Sequence, residues 1–300
     1  MEELTERIDV MLPFYGDAAL LRASVESVLR QTYPHWRLVC VDDAHPSDEV
    51  GAWLATLDDP RIEYLRNPHN LGVAGNFNRC VELATASHFV MMGGDDLMAP
   101  GYLAAVDRVR RAYPDAAVVQ CGVDVIDADG RRYLPLPDRV KAWLRPRSHG
   151  QGQVILTGER LAESLVRADW AYFPSLLWRR DVVAPLGFDP RFAVALDLGL
   201  LLDIALQDGS LVVFDDVEFS YRRHRHSVSQ VTIRDGARFL QERDFFDHYA
   251  EVLADAGWAR AARISRRRLF ARMNAGSALP GAILSGKWLA ASRLARFVFA

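Results

Sequence analysis

Along roughly the first 125 residues, short apolar runs alternate with segments whose apolar positions recur at helical spacing. Ile8-Asp9-Val10-Met11-Leu12 reads as a short buried strand, and residues 18–30 then place Leu21, Val25, Val28 and Leu29 on one helical face. The second strand, residues 36–41, runs straight into Asp42-Asp43; a helix follows over 48–57 and a third strand over 62–65. A helix over 74–86, a strand over 88–92, a helix with Pro100 in its first turn continuing to Tyr113, and a strand over 117–126 complete the series. This alternation predicts βαβ units, hence a mostly parallel sheet with helices on both faces. Ligands of such sheets bind beyond the carboxyl ends of the strands. Polar residues gather at those ends: Pro13-Phe14-Tyr15, Asp42-Asp43 and Gly93-Gly94-Asp95-Asp96.

The pattern changes after residue 127. Residues 130–153, rich in Arg, Pro, Gly and Ser, read as a long loop or flap. Order returns near Leu161, with a strand at 175–178, a helix at 197–207 and two separate strands at 211–214 and 218–223; the last ~65 residues read as helical throughout. Composition narrows the setting. Half of the 300 residues are hydrophobic and a quarter charged, ample for a core, and a net charge of -3 with a pI near 6.2 argues against nucleic acid as main partner. Cys40, Cys80 and Cys121 lack metal or redox spacing and fit a reducing compartment. The polar start at residues 1–7 is unlike a secretory leader, and no apolar stretch reaches the ~18 residues of a spanning helix. A cytoplasmic protein is expected.

Three strand ends carry candidate chemistry. Gly93-Gly94 lets the backbone turn sharply, and the adjacent Asp95 and Asp96 offer hard oxygen ligands suited to Mg²⁺ or Mn²⁺; an ordinary strand-to-helix turn with a capping Asp would look the same. A carboxylate at Asp42-Asp43 can accept from a nucleobase N–H or ribose hydroxyls, or cap the next helix. Tyr15 can stack on a base or on its own helix. Asn70-Leu71-Gly72-Val73 opens a helical segment whose N–H groups and amides at 70, 76 and 78 can face phosphate or sugar, or simply cap the helix.

Taken together, Pro13-Phe14-Tyr15, the run Ser24-Val25-Glu26-Ser27-Val28-Leu29-Arg30-Gln31-Thr32-Tyr33, Val41-Asp42-Asp43, Asn70-Leu71-Gly72-Val73 through Asn78, and Gly94-Asp95-Asp96 before a Pro-containing helix resemble the opening of family 2 glycosyltransferases with the GT-A fold. The order and spacing of five motifs are more specific than any one of them, and the likeness runs from residue 8 to about 230. It implies that Asp43 holds a uracil or thymine ring beside Pro13 and Tyr15, with Asn70, Gly72 and Asn76 toward the donor. It implies that Asp95 and Asp96 form the acidic metal motif, Asp96 as the direct ligand and Asp95 as a ligand or partner of ribose or sugar. Two departures stand out: Gly93 where many members carry Asp, and Phe77 where many carry Arg.

The second half extends the resemblance. Leu186-Gly187-Phe188-Asp189-Pro190-Arg191-Phe192 followed by Ala195-Leu196-Asp197 is similar to the family's Gly-Phe-Asp segment and Glu-Asp pair, which makes Asp197 the implied general base, with Leu196 in place of Glu. Tyr221-Arg222-Arg223-His224 matches a segment whose His, here His224, would complete the metal shell or touch the diphosphate. From Trp258 onward the tail holds nine basic residues and no acidic one, interleaved with Leu269, Met273, Trp288 and other apolar residues, so it suits either an anionic membrane surface or packing on the catalytic unit or a second subunit.

The expectation is a GT-A-like, Rossmann-type α/β domain over residues 1–230 (nucleotide-sugar half 1–127, acceptor half 128–230) with a helical extension over 231–300. It would be an inverting glycosyltransferase using a UDP- or dTDP-linked sugar and a saccharide or lipid-linked acceptor, in cell-surface polysaccharide or glycolipid synthesis. A catalytically silent nucleotide-sugar-binding protein and a nucleotidyltransferase are the alternatives. The latter would want a Gly-rich basic loop after the first strand, which Pro13-Phe14-Tyr15-Gly16-Asp17 is not.

Overall fold

The computed structural model describes residues 6–148, 152–192, 194–223, 237–286 and 288–299. The first half follows the alternation: β1 (Ile8–Phe14), α1 (Ala18–Leu29), β2 (Trp36–Asp42), α2 (Glu49–Ala55), β3 (Ile62–Arg66), α3 (Gly72–Leu83), β4 (His88–Met91), a two-residue β5 (Leu97–Met98), α4 (Tyr102–Ala112) and β6 (Val118–Ile126). The second half adds α5 (Leu136–Leu144), β7 (Gln153–Thr157), α6 (Gly158–Ala168), β8 (Leu176–Arg179), α7 (Arg180–Val183), α8 (Leu196–Leu206) and β9 (Ser210–Arg222). Four helices close it: α9 (Ala237–Asp255), α10 (Ala259–Arg267), α11 (Leu269–Leu284) and α12 (Trp288–Phe299).

The strands form one sheet in the order β3-β2-β1-β4-β8-β6-β9-β5, with β7 also on β9. The β3-β2-β1-β4 and β6-β9 pairs are parallel; β8, β5 and β7 join antiparallel. Side-chain alternation splits the core in two. Val10, Leu12, Leu38, Cys40 and Val90 face α1 and α4 on one side, while Met11, Val39, Val41, Phe89 and Met91 face α3, α6 and α8 on the other. Each such buried aliphatic contributes about 1.5–3 kcal/mol. The second core layer also takes in Phe245, Tyr249, Leu253, Ala261, Leu294 and Phe297, so the C-terminal helices share the core of the sheet domain.

Two expectations for the second half are corrected. Residues 130–153 are not all loop: Pro135 and Pro137 open the nine-residue helix α5, held from below by the buried Asp138. The separate strands at 211–214 and 218–223 are one strand, β9, whose register against β6 shifts between Gln120 and Val123. Asp215-Asp216 looked like a break, but the irregularity turns these carboxylates outward while pairing continues; Gly122 opposite has room only for hydrogen, since a Cβ would lie 2.6 Å from the Asp215 carbonyl.

Candidate active site

The acidic turn is built from the helix that precedes it by some seventy residues. Ser24 and Ser27 on α1, and Gln31 just past its C-cap, recur at helical spacing and are buried, although polar. Ser24 Oγ donates to the Asp96 carbonyl (2.7 Å), Ser27 Oγ accepts from Met98 N (3.1 Å), and Gln31 Nε2 donates to the Ala99 carbonyl (2.6 Å) while its Oε1 accepts from Leu103 N (2.9 Å). These bonds hold backbone groups around the short strand β5 and at the first turn of α4, where β5 is paired on one side only. From the other side Arg222, at the end of β9, gives its N–H to Asp96 Oδ1 (2.8 Å) and its Nε to the Asp95 carbonyl (2.7 Å).

That leaves one atom of Asp96 over. The residue is 1% exposed, yet its Oδ2 has no hydrogen-bond partner. Burial, and then the neighbouring Asp95 carboxylate, push its carboxyl well above the usual range, against the opposing pull of Arg222. Gly93 shows where the oxygens point. A Cβ there would lie 2.3 Å from Asp96 Oδ2 and 3.0 Å from Asp95 Oδ1, so both carboxylates converge on the space a side chain would take. An orphaned, buried, charge-starved oxygen beside a second carboxylate fits a hard divalent cation. Among the described residues no set of three His, Cys, Asp or Glu side chains converges as a complete cage, so the remaining positions would fall to water and a phosphate-bearing ligand. His224, the expected further ligand, lies outside the described residues.

The end of β2 is organised differently. Asp43 Oδ1 accepts from Asn67 Nδ2 (2.9 Å) and Leu71 N (2.8 Å), and Oδ2 accepts from Gly72 N (3.0 Å). Gly72 has φ +72 and starts α3 in a left-handed conformation that suits glycine. Asn70 Oδ1 shares the Gly72 N–H (2.9 Å) at the surface. Asn76 was expected to face the ligand, but it is internal: Nδ2 donates to the Val41 carbonyl (3.1 Å) and Oδ1 accepts from Asn67 (3.0 Å). Asn78 is likewise committed, both donating to the Phe188 carbonyl (2.9 Å) and accepting from its N–H (2.7 Å). Phe77 stacks on Phe173 (centroids 5.0 Å apart) and meets Phe188 edge-on, which explains an aromatic ring rather than a cation there. Pro13, next to last in β1, has its carbonyl 4.0 Å from the Cβ position of Gly94, and Tyr15 stands 57% exposed in an edge-on contact with His45. Asp43, Asn70, Gly72 and Asn76 thus form one network, and Asp95 with Asp96 another.

Asp197 lies in the first turn of α8, and among the described residues no hydrogen bond joins it to either network. Burial, then the Asp169 carboxylate, push its carboxyl up to about 7; Lys141 opposes them. Asp169, the left-handed C-cap of α6, accepts from Lys141 Nζ (3.3 Å) and keeps a buried Oδ1 without a partner. Lys141 comes from α5 and sits 5.6 Å over the Tyr172 ring; the Tyr172 hydroxyl donates to the buried Asp138 (2.9 Å), which also pairs with Arg223 (2.8 Å). Arg222 and Arg223 are therefore spent inside the protein. They join the acidic turn to α5, which in turn reaches Asp169 and the surroundings of Asp197. A hollow of about 300 Å³ beside this chain is lined by Leu134, Lys141, Arg145, Arg147, Tyr172 and Val217, among others.

Comparison with known proteins supplies the class. Residues 9–161 match the profile of glycosyl transferase family 2. An uncharacterized protein of Mycobacterium tuberculosis is 28% identical over 79% of this chain and 73% of its own length. A UDP-Glc:alpha-D-GlcNAc-diphosphoundecaprenol beta-1,3-glucosyltransferase of Escherichia coli, WfgD, is 33% identical over 30% of this chain and 35% of its own. Among solved structures, the mannosyltransferase PcManGT from Pyrobaculum calidifontis, in complex with GDP-Man and Mn²⁺, superposes with a TM-score of 0.63 at 20% identity, covering 99% of this chain and 86% of that one. The fold is GT-A-like, α/β with a mostly parallel central sheet and C-terminal helices. The chain belongs to glycosyl transferase family 2 and is a glycosyltransferase.

Proposed function

We propose that this glycosyltransferase moves a sugar from a UDP- or dTDP-linked donor to an acceptor hydroxyl with inversion, in the assembly of a cell-surface polysaccharide or glycolipid on a saccharide or lipid-linked acceptor. The observation that carries the reading is the unpartnered, buried Asp96 Oδ2 aimed with Asp95 Oδ1 over Gly93. Asp96 and Asp95 would hold a divalent cation, Mg²⁺ or Mn²⁺, whose charge offsets that developing on the departing diphosphate. His224 is proposed as a further contact to cation or diphosphate. Asp43, whose Oδ2 receives a single N–H, has a lone pair left for the N–H of the base; Tyr15 and Pro13 flank it, and Asn70 and Gly72 shape the wall. Asn76 acts by holding that wall.

Asp197 takes the acceptor proton. A carboxyl titrating near 7 is a better proton acceptor than an ordinary Asp and is still half ionised at neutral pH. The hollow beside Lys141 is adjacent through Asp169 and is proposed to receive the acceptor. The WfgD resemblance supports a uridine donor and a diphosphate-lipid acceptor as the first pair to try. The test is a panel of nucleoside diphosphate sugars with released nucleoside diphosphate as readout, with and without Mn²⁺. Cation-dependent release from one uridine or thymidine donor is expected. Binding without release under every condition would favour the silent binding protein, and no binding at all would end the reading.

A further inference from the structure

The C-terminal helices divide their apolar residues in a way the sequence did not reveal. Ala271, Ala275, Ala291, Leu294 and Phe297 are buried in the shared core, and Arg268 is folded under with them, pairing with Asp247 and lying 5.9 Å over the Phe297 ring. Of the exposed large apolar side chains, Leu269, Met273 and Phe299 lie at the far end of the α11–α12 pair, and the densest group sits where α11 turns into α12. Ile283 is 44% exposed, Leu284 88%, Trp288 70% and Leu289 68%, four large apolar side chains within seven residues at the tip of a helical hairpin. A cluster of large apolar side chains left in water marks a contact surface.

Charge selects the partner. Residues 258–300 hold nine of the chain's 36 basic residues and none of its 39 acidic ones, so the rest of the chain carries 27 against 39. The separation is physical as well as compositional: Arg263, Arg266 and Arg267 on α10 and Arg296 on α12 are exposed. An apolar tip containing a tryptophan, on a region of one positive sign, is complementary to a bilayer with an anionic headgroup layer, where Trp favours the interface and nearby Arg side chains meet the headgroup charge. A second copy of this chain meeting this face with its own, as in a two-fold dimer, would bring the same positive charge to the contact. Among the described residues no helix is long and apolar enough to cross a membrane, so contact is superficial.

We propose that the α11–α12 hairpin docks this enzyme on an anionic lipid surface, with Leu284, Trp288 and Leu289 entering the interface and the arginines of α10 and α12 facing the headgroups. The inference uses neither the acidic turn nor Asp197, so it stands or falls separately from the donor and acceptor assignments. The test is co-sedimentation of the full chain with vesicles of phosphatidylcholine alone and of phosphatidylcholine with phosphatidylglycerol, in the absence of donor. Binding is expected on the anionic vesicles and much less on the neutral ones. Leu284→Asp with Trp288→Asp should weaken it roughly tenfold or more at unchanged melting temperature. Arg263→Glu, Arg266→Glu and Arg267→Glu together should reduce anionic binding and leave neutral binding as it was. Failure of the wild type to bind, or equal binding by the tip variant, overturns the proposal. So does light scattering that finds an oligomer which the tip variant dissociates, since the face would then join copies of the chain.

Discussion

Two aspartates on neighbouring strands of one sheet have opposite fates. Asp9, at the entry end of β1, is 0% exposed; Asp96, just past the exit end of β4, is 1% exposed. Burial by itself would raise the carboxyl of Asp9, but Arg37, through Nε (3.1 Å) and Nη2 (2.8 Å), and the N–H groups of Ala86 (2.9 Å) and Thr85 (2.7 Å) hold it below the usual range. Asp96 suffers the same desolvation with one backbone donor and a second carboxylate beside it, and goes the other way. One end of the sheet has its charge completed by the chain; the other is left incomplete. Incompletion at a strand's carboxyl end is where a ligand's charge can act, since it supplies what the fold withholds.

The contrast can be broken by substitution. The largest effect is expected at Asp197, where Asn should lower kcat by about 10²–10⁴-fold and leave donor affinity intact, read by single-turnover assays beside donor titration. Asp96→Asn should cost turnover about 10²–10³-fold, and should also abolish the rise in melting temperature that Mn²⁺ gives the wild type. Without cation it should melt no lower than wild type, because the carboxyl it replaces is destabilising when ionised. A lower metal-free melting temperature would remove Asp96 from the incomplete class.

Asp9→Asn should do the reverse, lowering stability by about 1–3 kcal/mol while kcat of the folded enzyme holds. Arg37, which keeps only the more exposed Glu63 as a charge partner, and the Ala86 and Thr85 N–H groups lose a buried charged acceptor. The sign in pH follows. Asp9 has a lowered folded pKa, so its contribution is present above the ordinary Asp range and is lost as pH falls through the folded value; denaturant midpoints of wild type and variant should converge in acid. The smallest effect is on the rate profile. With Asp197 near 7 and active as the carboxylate, kcat should rise with pH through about 7. Lys141→Met removes the cation that favours ionisation, so that limb should move to higher pH; a shift the other way would dissociate Lys141 from the base.

Much of this was readable in the chain. Strands such as Val10 to Leu12 and helices such as Leu21 to Val28 announce themselves because local periodicity and burial agree. The acidic turn was also legible, since Gly93 through Asp96 are four consecutive residues. What was hidden depends on distant partners. Ser24, Ser27 and Gln31 stood inside a quoted motif, but nothing local says that they serve a backbone some seventy residues on. Asn76 looked like a ligand contact because an amide on a loop-adjacent turn usually finds solvent, and its carbonyl partner sits 35 residues back on β2. Lys141 and Asp138 lay in a stretch whose composition suggested only loop, and their partners Asp169 and Arg223 come from other elements. β9 was split in two because paired carboxylates at 215 and 216 mimic a turn when the bulge that accommodates them is unseen.

One of those distant bonds has a mechanical consequence. Asn78 grips both the N–H and the C=O of one residue, Phe188, as a neighbouring strand would. A side chain has become a rung of ladder, tying α3 to the segment that leads into α8. Turning the amide into a carboxylate would leave the acceptor half of that rung and reverse its donor half into repulsion, so the joint tolerates neither Asp nor a shorter side chain. Motion between α3 and the segment that leads into α8 therefore has little freedom along this seam. Any opening that admits a bulky acceptor would have to pivot elsewhere, at the helix bearing Asp138 and Lys141, whose ties are ionic and can be exchanged for water.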